Sequence, residues 1–275
     1  MSDHSKDQPT LTLNDGRSMP QLGYGTFEIP DEDAPGLVGT ALGVGYWLVD
    51  TAALYENERG VGKGIGEWSD IFLTTKIWND DQGFDEAKRA FSQSLERLDR
   101  AYVDLLLIHW PCPDKGKFVD TWKALIALRE EDTAKSIGVS NFRITDLEKL
   151  EAETGVRPAV NQIELHPYFQ QAELRAVHDE MGIATQCWSP LGQGDALDDP
   201  VIKDIASAHG VQPAAVILAW QIQLGCATIP KSSSREHMEG NFKALDVSLT
   251  EEDMARIAEL DRADGRIGPD PAELC

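Results

Sequence analysis

Residues 103–110 read Val103-Asp104-Leu105-Leu106-Leu107-Ile108-His109-Trp110. Apart from Asp104, the run is apolar on both alternating faces until it meets His109. A strand with one wet face alternates, whereas a strand covered on both faces reads as one continuous apolar run. The stretch is too short for a helix, so it predicts a buried strand that stops at an imidazole. Seven further runs of this kind lie at Leu22–Phe27, Leu48–Thr51, Ile71–Lys76, Ser136–Asn141, Val160–Leu165, Ala184–Pro190 and Ala227–Pro230. Amphipathic stretches separate them. In Asp85–Leu98 the apolar set Ala87, Ala90, Phe91, Leu95 and Leu98 keeps to one helix face. In Pro213–Leu224 proline stands near the start and Gly225 just past the end, the usual asymmetry of a helix.

Eight strands alternating with helices predict a parallel sheet with crossover helices, and eight such units in about 250 residues predict a closed (β/α)8 TIM barrel. An open doubly wound sheet is the alternative, usually with fewer strands. Before the first unit, Leu11–Leu13, the turn Asn14-Asp15-Gly16 and a short following segment read as an N-terminal β-hairpin that would plug the barrel bottom. The Asp-, Gly- and Pro-rich tail after Leu260 reads as a C-terminal loop over the mouth. No linker or repeat divides the chain. Residues 1–10 are expected to be flexible and residues 11–275 to form one barrel domain.

The chain has 275 residues, with 25 Lys and Arg against 47 Asp and Glu, a net charge of −22. Nucleic acid and anionic membranes need basic patches, so neither is expected as a partner. So large an acidic surplus also suits a high-salt or acid-adapted source. No run approaches the roughly 18 apolar residues of a membrane span. Met1–Pro9 has no apolar core, so a secretory signal is not expected. Cys112, Cys187, Cys226 and Cys275 are far apart with no CxxC pair, which points to a reducing cytoplasm rather than a disulfide or zinc framework. A cytoplasmic monomer is the expectation.

The chemistry lies where the strands end. The runs stop at Asp50, Lys76, His109, Ser140-Asn141, Gln162 and Lys231. In a barrel of this type the C-terminal strand ends converge on one mouth, so these groups would share a pocket. Tyr55 follows Asp50 on the next loop. A phenol has a pKa of about 10, and a neighbouring ammonium lowers it. Lys76 would therefore acidify Tyr55, Asp50 would hold Lys76 charged, and the phenol would protonate an alkoxide as it forms in carbonyl reduction. His109 would hydrogen-bond the carbonyl oxygen. Gly60–Gly66 (GVGKGIG) has neither phosphate-loop spacing and reads as a helix with spaced glycines. His166 and His178 lack ligand partners, so no metal site is assigned.

Gly45–Gly62 (GYWLVDTAALYENERGVG), Leu107–Pro111 (LIHWP), Ser136–Phe142 (SIGVSNF), Asn161–Pro167 (NQIELHP) and Ile229–Ser232 (IPKS) together resemble the aldo-keto reductase family. The likeness runs from about Leu11 to Arg266, with the motifs in order. Gln21–Phe27, Trp78–Asp80 and Trp188–Gly194 look most like the bacterial 2,5-diketo-D-gluconate reductases. The resemblance implies NADPH-dependent reduction of aldehydes and ketones, with diketogluconate, methylglyoxal or diacetyl as candidate substrates. It implies the tetrad Asp50, Tyr55, Lys76 and His109, with Tyr55 as the acid. It further implies that Ser140, Asn141 and Gln162 hold the nicotinamide carboxamide and that Trp188 stacks on its ring. Ser189, Leu191 and Gln193 would follow the pyrophosphate, and Phe27, Trp78 and Trp110 would wall the substrate pocket.

For the cofactor phosphate, Lys231, Ser232, Ser233, Ser234, Arg235 and His237 offer cations and hydroxyls at a loop-to-helix entry, with Asn241 a turn further on. His237 stands where the family commonly has arginine, and Ser234 where the diketogluconate reductases tend to have one. An imidazole carries full charge only below neutral pH, so a weakened NADPH preference with some NADH use is expected. Trp47 replaces a usual basic residue, and Asp132-Thr133 a usual Gly-Lys turn; Asp tolerates the left-handed conformation. A catalytically idle binding or structural relative is the competing reading, since fold does not imply function.

Overall fold

A computed structural model describes residues 8–275. The hairpin comes first: β1 (Thr10–Thr12) pairs antiparallel with β2 (Ser18–Pro20), Leu11 opposite Met19. Gly16 takes φ +85° in its turn, a conformation that favours glycine. Of the N-terminal stretch expected to be flexible, residues 1–7 lie outside the described residues. Within them, Gln8 is buried and its Nε2 donates to Gly45 O at 2.7 Å.

Eight parallel strands follow: β3 (Tyr24–Gly25), β4 (Leu48–Asp50), β5 (Phe72–Ile77), β6 (Val103–Ile108), β7 (Ala134–Ser140), β8 (Val160–Glu164), β9 (Ala184–Trp188) and β10 (Ala227–Thr228). Each coincides with a run marked in the sequence, except that β5 extends one residue past its run to Ile77 and β7 begins two residues before its run, at Ala134. Helices alternate with them: α1 (Ala34–Val44), α2 (Glu58–Ile65), α3 (Phe84–Leu98), α4 (Phe118–Glu130), α5 (Ile144–Thr154), α6 (Ala172–Met181), α7 (Pro200–His209), α8 (Pro213–Gln223), α9 (Arg235–Phe242) and α10 (Glu251–Ala258). The sheet runs in sequence order and closes where Leu22 bridges Thr228; Gly23 N donates to Thr228 O at 2.8 Å and Gly25 N to Pro230 O at 3.1 Å. Glycine is needed at this seam, because a Cβ on Gly25 would lie 2.7 Å from Ile229 O. The result is a (β/α)8 barrel.

The strands divide their side chains by the period of two. Leu48, Leu105, Leu107, Val160, Ala227 and Ile229 fill the barrel interior, while Val49, Leu73, Leu106, Ile108 and Ile137 face the helices. Leu13 and Met19 of the hairpin join the interior set beside Phe72 and Ala159, at the N-terminal ends of the strands. One end is thereby stoppered with apolar side chains, and chemistry is left to the other. The glycine-spaced segment Gly60–Gly66 lies mostly in α2, where a Cβ on Gly62 would collide with the backbone of Leu98. Its glycines serve close helix packing. No described helix is long and apolar enough to cross a membrane.

One expectation fails. Cys112 and Cys275 form a disulfide, with Cα atoms 5.1 Å apart, whereas Cys187 and Cys226 remain free and buried. The partners are 163 residues apart, so no local spacing could reveal the pairing.

Candidate active site

Asp50 closes β4, and the short helical turn Ala53–Tyr55 carries the chain over the mouth. Asn57, fully buried, fixes this loop: its Nδ2 donates to Thr26 O at 2.8 Å and Ile29 O at 2.9 Å, and its Oδ1 accepts from Thr51 Oγ1 at 2.8 Å. Lys76, near the end of β5, points inward and is 0% exposed; Asp50 is 1% exposed. Lys76 Nζ donates to Asp50 Oδ1 at 2.5 Å, to Thr51 O at 2.9 Å and to Tyr55 Oη at 3.3 Å. Asp50 Oδ2 accepts from Gln162 Nε2 at 2.7 Å. His109, directly after β6, stands edge-on to Tyr55 with ring centroids 5.7 Å apart. The four residues of the expected tetrad meet at one point of the mouth.

The electrostatics follow from burial. Burial alone would lower the Lys76 pKa, but the Asp50 carboxylate beside it outweighs that and raises it. Burial raises Asp50 against the pull of Lys76 and Gln162. Tyr55 departs from the sequence expectation. Burial pushes its pKa above the ordinary phenol value, and Lys76, though it pulls downward, does not reverse this; Asp50 adds to the rise. Desolvation of a phenolate costs more than one paired lysine returns. Burial also holds His109 well below its ordinary value, with the Lys76 charge adding, so its ring is neutral.

Around this centre Phe27 lies edge-on to Tyr55 at 5.2 Å, Trp78 to His109 at 5.1 Å, and Trp110 to Trp188 at 6.4 Å between ring centroids. Ser140, Asn141, Gln162 and Trp188 are linked: Trp188 Nε1 donates to Asn141 Oδ1 at 2.8 Å, Asn141 Nδ2 to Ser140 Oγ at 3.0 Å, and Ser140 Oγ to Gln162 O at 2.8 Å. Gln162 spends both amide hydrogens on Asp50 and Gln186, leaving its oxygen as an acceptor.

A cleft of about 730 Å³ opens between residues 191–203 and 231–243, lined by Leu191, Lys231, Ser232, Ser233, His237 and Asn241 among others. Ser234 caps α9, accepting from His237 N at 3.2 Å. Arg235 does not line the cleft; its Nε bonds Glu239 Oε1 at 2.7 Å. Ser189 and Gln193, both with positive φ, also lie off its lining. Sequence reasoning missed Lys203, Gln212 and Lys243, which do line it, because they sit on helix α7 or at helix ends with no motif of their own. Lys203, Lys231, Lys243, Ser232 and Ser233 line the cleft beside Asp198, Glu236 and Glu239; these cations and hydroxyls suit a dianionic phosphate on a chain of charge −22, so the donor set fits NADPH. Asp132 adopts φ +60°, the conformation its place in the turn demands. His166 and His178 are hydrogen-bonded inside the protein, to Glu164 and to Asn161 and Thr185.

The model of the aldo/keto reductase family matches residues 20–262. An aldo-keto reductase of Mycolicibacterium smegmatis is 51% identical over 96% of this chain and 97% of that protein. The methylglyoxal reductase DkgA of Salmonella typhimurium is 43% identical over 97% of this chain and 98% of its own. A Gox0644 variant solved in complex with NADPH superposes with a TM-score of 0.96 at 46% identity, covering 98% of this chain and all of that one. The chain belongs to the aldo/keto reductase family, oxidoreductases that act on carbonyl groups.

Proposed function

We propose that this aldo/keto reductase uses NADPH to reduce small aldehydes and ketones to alcohols, with Tyr55 delivering the proton to the carbonyl oxygen. The supporting observation is the hydrogen-bond inventory of Lys76. An ammonium has three donors and no acceptor, and Lys76 spends them on Asp50, Thr51 and Tyr55. The Tyr55 oxygen therefore accepts, and among the described residues its own hydrogen has no protein acceptor. That hydrogen is left for a ligand. His109 supplies a second donor. Its Nδ1 is buried without a partner, so the single proton of the neutral ring sits at less cost on Nε2. Two donors converging on one oxygen polarise a carbonyl and hold it in register.

A phenol with a raised pKa remains a competent acid here. An alkoxide is far more basic, and Lys76 stabilises the phenolate as it forms, which burial alone would forbid. Bound in the cleft, with its ring toward Trp188 and its carboxamide toward Ser140, Asn141 and Gln162, NADPH would supply the reducing equivalent. Leu191, Lys231, Ser232, Ser233, His237 and Asn241 would hold its remainder, while Ser189, Gln193 and the Glu239-bound Arg235 would reach it only by moving from the positions they occupy. Phe27, Trp78 and Trp110 would exclude water from the reacting carbon.

The apolar walls and the DkgA relatives favour small dicarbonyls, so methylglyoxal and diacetyl are the first substrates to try, followed by 2,5-diketo-D-gluconate. The idle alternative finds no support in relatives named as reductases. Loss of NADPH absorbance with methylglyoxal, measured beside Tyr55→Phe, tests the reading. Turnover by the parent alone, with cofactor binding kept in both, supports it; equal rates remove Tyr55 from the mechanism.

A further inference from the structure

The last residues of the chain cross the mouth between two anchorages of different kinds. The first is built of many weak contacts. Arg262 N donates to Tyr168 O at 3.0 Å and its guanidinium lies 3.7 Å over the Tyr168 ring, while Arg266 lies 4.6 Å over Phe169. Gln170 N donates to Asp261 Oδ1 at 2.9 Å. Glu164, a buried carboxylate at the end of β8, then takes Ile267 N at 2.6 Å and Gly268 N at 2.9 Å on its two oxygens. Gly268 packs so closely on the Trp188 ring that a Cβ there would collide with it. This end of the tail is fixed against the wall beside Trp188.

Beyond Gly268 the character changes. Among the described residues, the hydrogen bonds made by residues 269–275 are internal: Ala272 N to Asp270 Oδ1, and Glu273 N and Leu274 N to Asp270 O. The far end is held by the Cys112–Cys275 bond, and Cys112 is two residues past Trp110, which follows β6, three strands round the barrel from β9, and whose ring meets that of Trp188 edge-on. Residues 269–275 therefore run from beside Trp188 at the end of β9 to Cys112 past the end of β6, with Pro271 buried on the way and one covalent tie at the far end. Cys112 is fully buried and sits in the left-handed region at φ +44°, turning the chain between Pro111 and Pro113.

We propose that Cys112 and Cys275 form a redox-operated strap that sets which carbonyl compounds the mouth admits. This rests on the reading of the mouth as the substrate site. Oxidised, the strap joins the Trp188 and Trp110 walls and admits small aldehydes. Reduced, residues 269–275 swing away and larger carbonyls enter. The chemistry balances with a peroxide as oxidant: each thiol gives up its hydrogen, the two sulfurs bond, and hydrogen peroxide is reduced to two waters. A dithiol reverses it by thiol–disulfide exchange, becoming a disulfide itself. In a reducing compartment a bond of this sort acts as a sensor rather than a permanent staple.

The experiment compares the protein treated with hydrogen peroxide and with dithiothreitol, each desalted before assay. A non-reducing peptide map should show the Cys112–Cys275 link in the first form and two free thiols in the second. Reduction should raise kcat/KM for naphthaldehyde about fivefold or more and leave that for methylglyoxal within about twofold. Cys275→Ser should show the reduced values under both treatments. The proposal fails if the link does not form with peroxide, if naphthaldehyde is turned over equally by both forms, or if the redox effect persists in Cys275→Ser. Backbone hydrogen exchange separates this from the reductase reading: it should quicken at residues 269–275 on reduction even if neither aldehyde is a substrate, and unchanged exchange there also overturns the strap.

Discussion

Lys76 Nζ lies 2.5 Å from Asp50 Oδ1 and 3.3 Å from Tyr55 Oη, so one buried cation is bound firmly on one side and more loosely on the other. The carboxylate fixes the charge, and the phenol benefits from it only when its proton departs. Replacing Tyr55 by Phe should lower kcat by roughly a hundredfold or more while leaving the NADPH dissociation constant nearly unchanged. Fluorescence titration against steady-state rates would check this.

The ion pair can be separated from its catalytic use. Lys76→Met leaves Asp50 buried without its cation and should cost about 3 kcal/mol, read from the urea midpoint. Adding Asp50→Leu should recover a large part of that stability, because the uncompensated charge is gone. Activity should not return with it.

The pH profile follows from which groups stay fixed. His109 is held far below its ordinary value, and Tyr55 lies above the phenol value. The active form carries a neutral imidazole and a protonated phenol, so kcat/KM for reduction should be flat from about pH 6 to pH 9. Decline belongs on the alkaline side. A fall centred near pH 6.5 would show His109 titrating after all.

His178 gives a stability prediction. Burial, with the Arg175 charge adding, pushes its pKa down to about 4, against about 6.5 in an unfolded chain. The folded state prefers the neutral ring. Its contribution is therefore complete above pH 6.5 and is lost as pH falls through about 4. The gap corresponds to about 3 kcal/mol, seen as a steep drop in melting temperature over that window. His178→Gln should flatten it.

The cofactor preference turns on His237, which is exposed at the first turn of α9 beside Ser232 and Ser233. With imidazole in place of a permanent cation, the kcat/KM ratio of NADPH over NADH at pH 7 should stay below about a thousand. His237→Arg should raise that ratio about fivefold or more. Parallel assays with both nucleotides would decide it.

The barrel was legible because strands covered on both faces must be apolar throughout, so the pattern survives without tertiary information. The tetrad was legible for the converse reason. A lysine or an imidazole ending such a run has only the mouth to face. Other features had no local signature. Asn57 looks like any loop asparagine until its two carbonyl partners are in place, and Lys203 and Lys243 look like ordinary helix surface. Arg235 suited a phosphate by spacing, but its neighbour one turn on, Glu239, takes the guanidinium. The direction of the Tyr55 shift depends on how much burial opposes Lys76, and sequence does not carry that balance.

The loop bearing Tyr55 is held by the Asn57 amide against the backbone carbonyls of Thr26 and Ile29, and the side chains of Phe27, Trp78 and Trp110 take no part in that bracing. The proton donor is thus braced by backbone carbonyls and one amide, with Phe27 alone of the three walls set against its ring. Selection, or an engineer, can resurface the mouth at Trp78 and Trp110 to suit a new compound and leave the acid standing where it was.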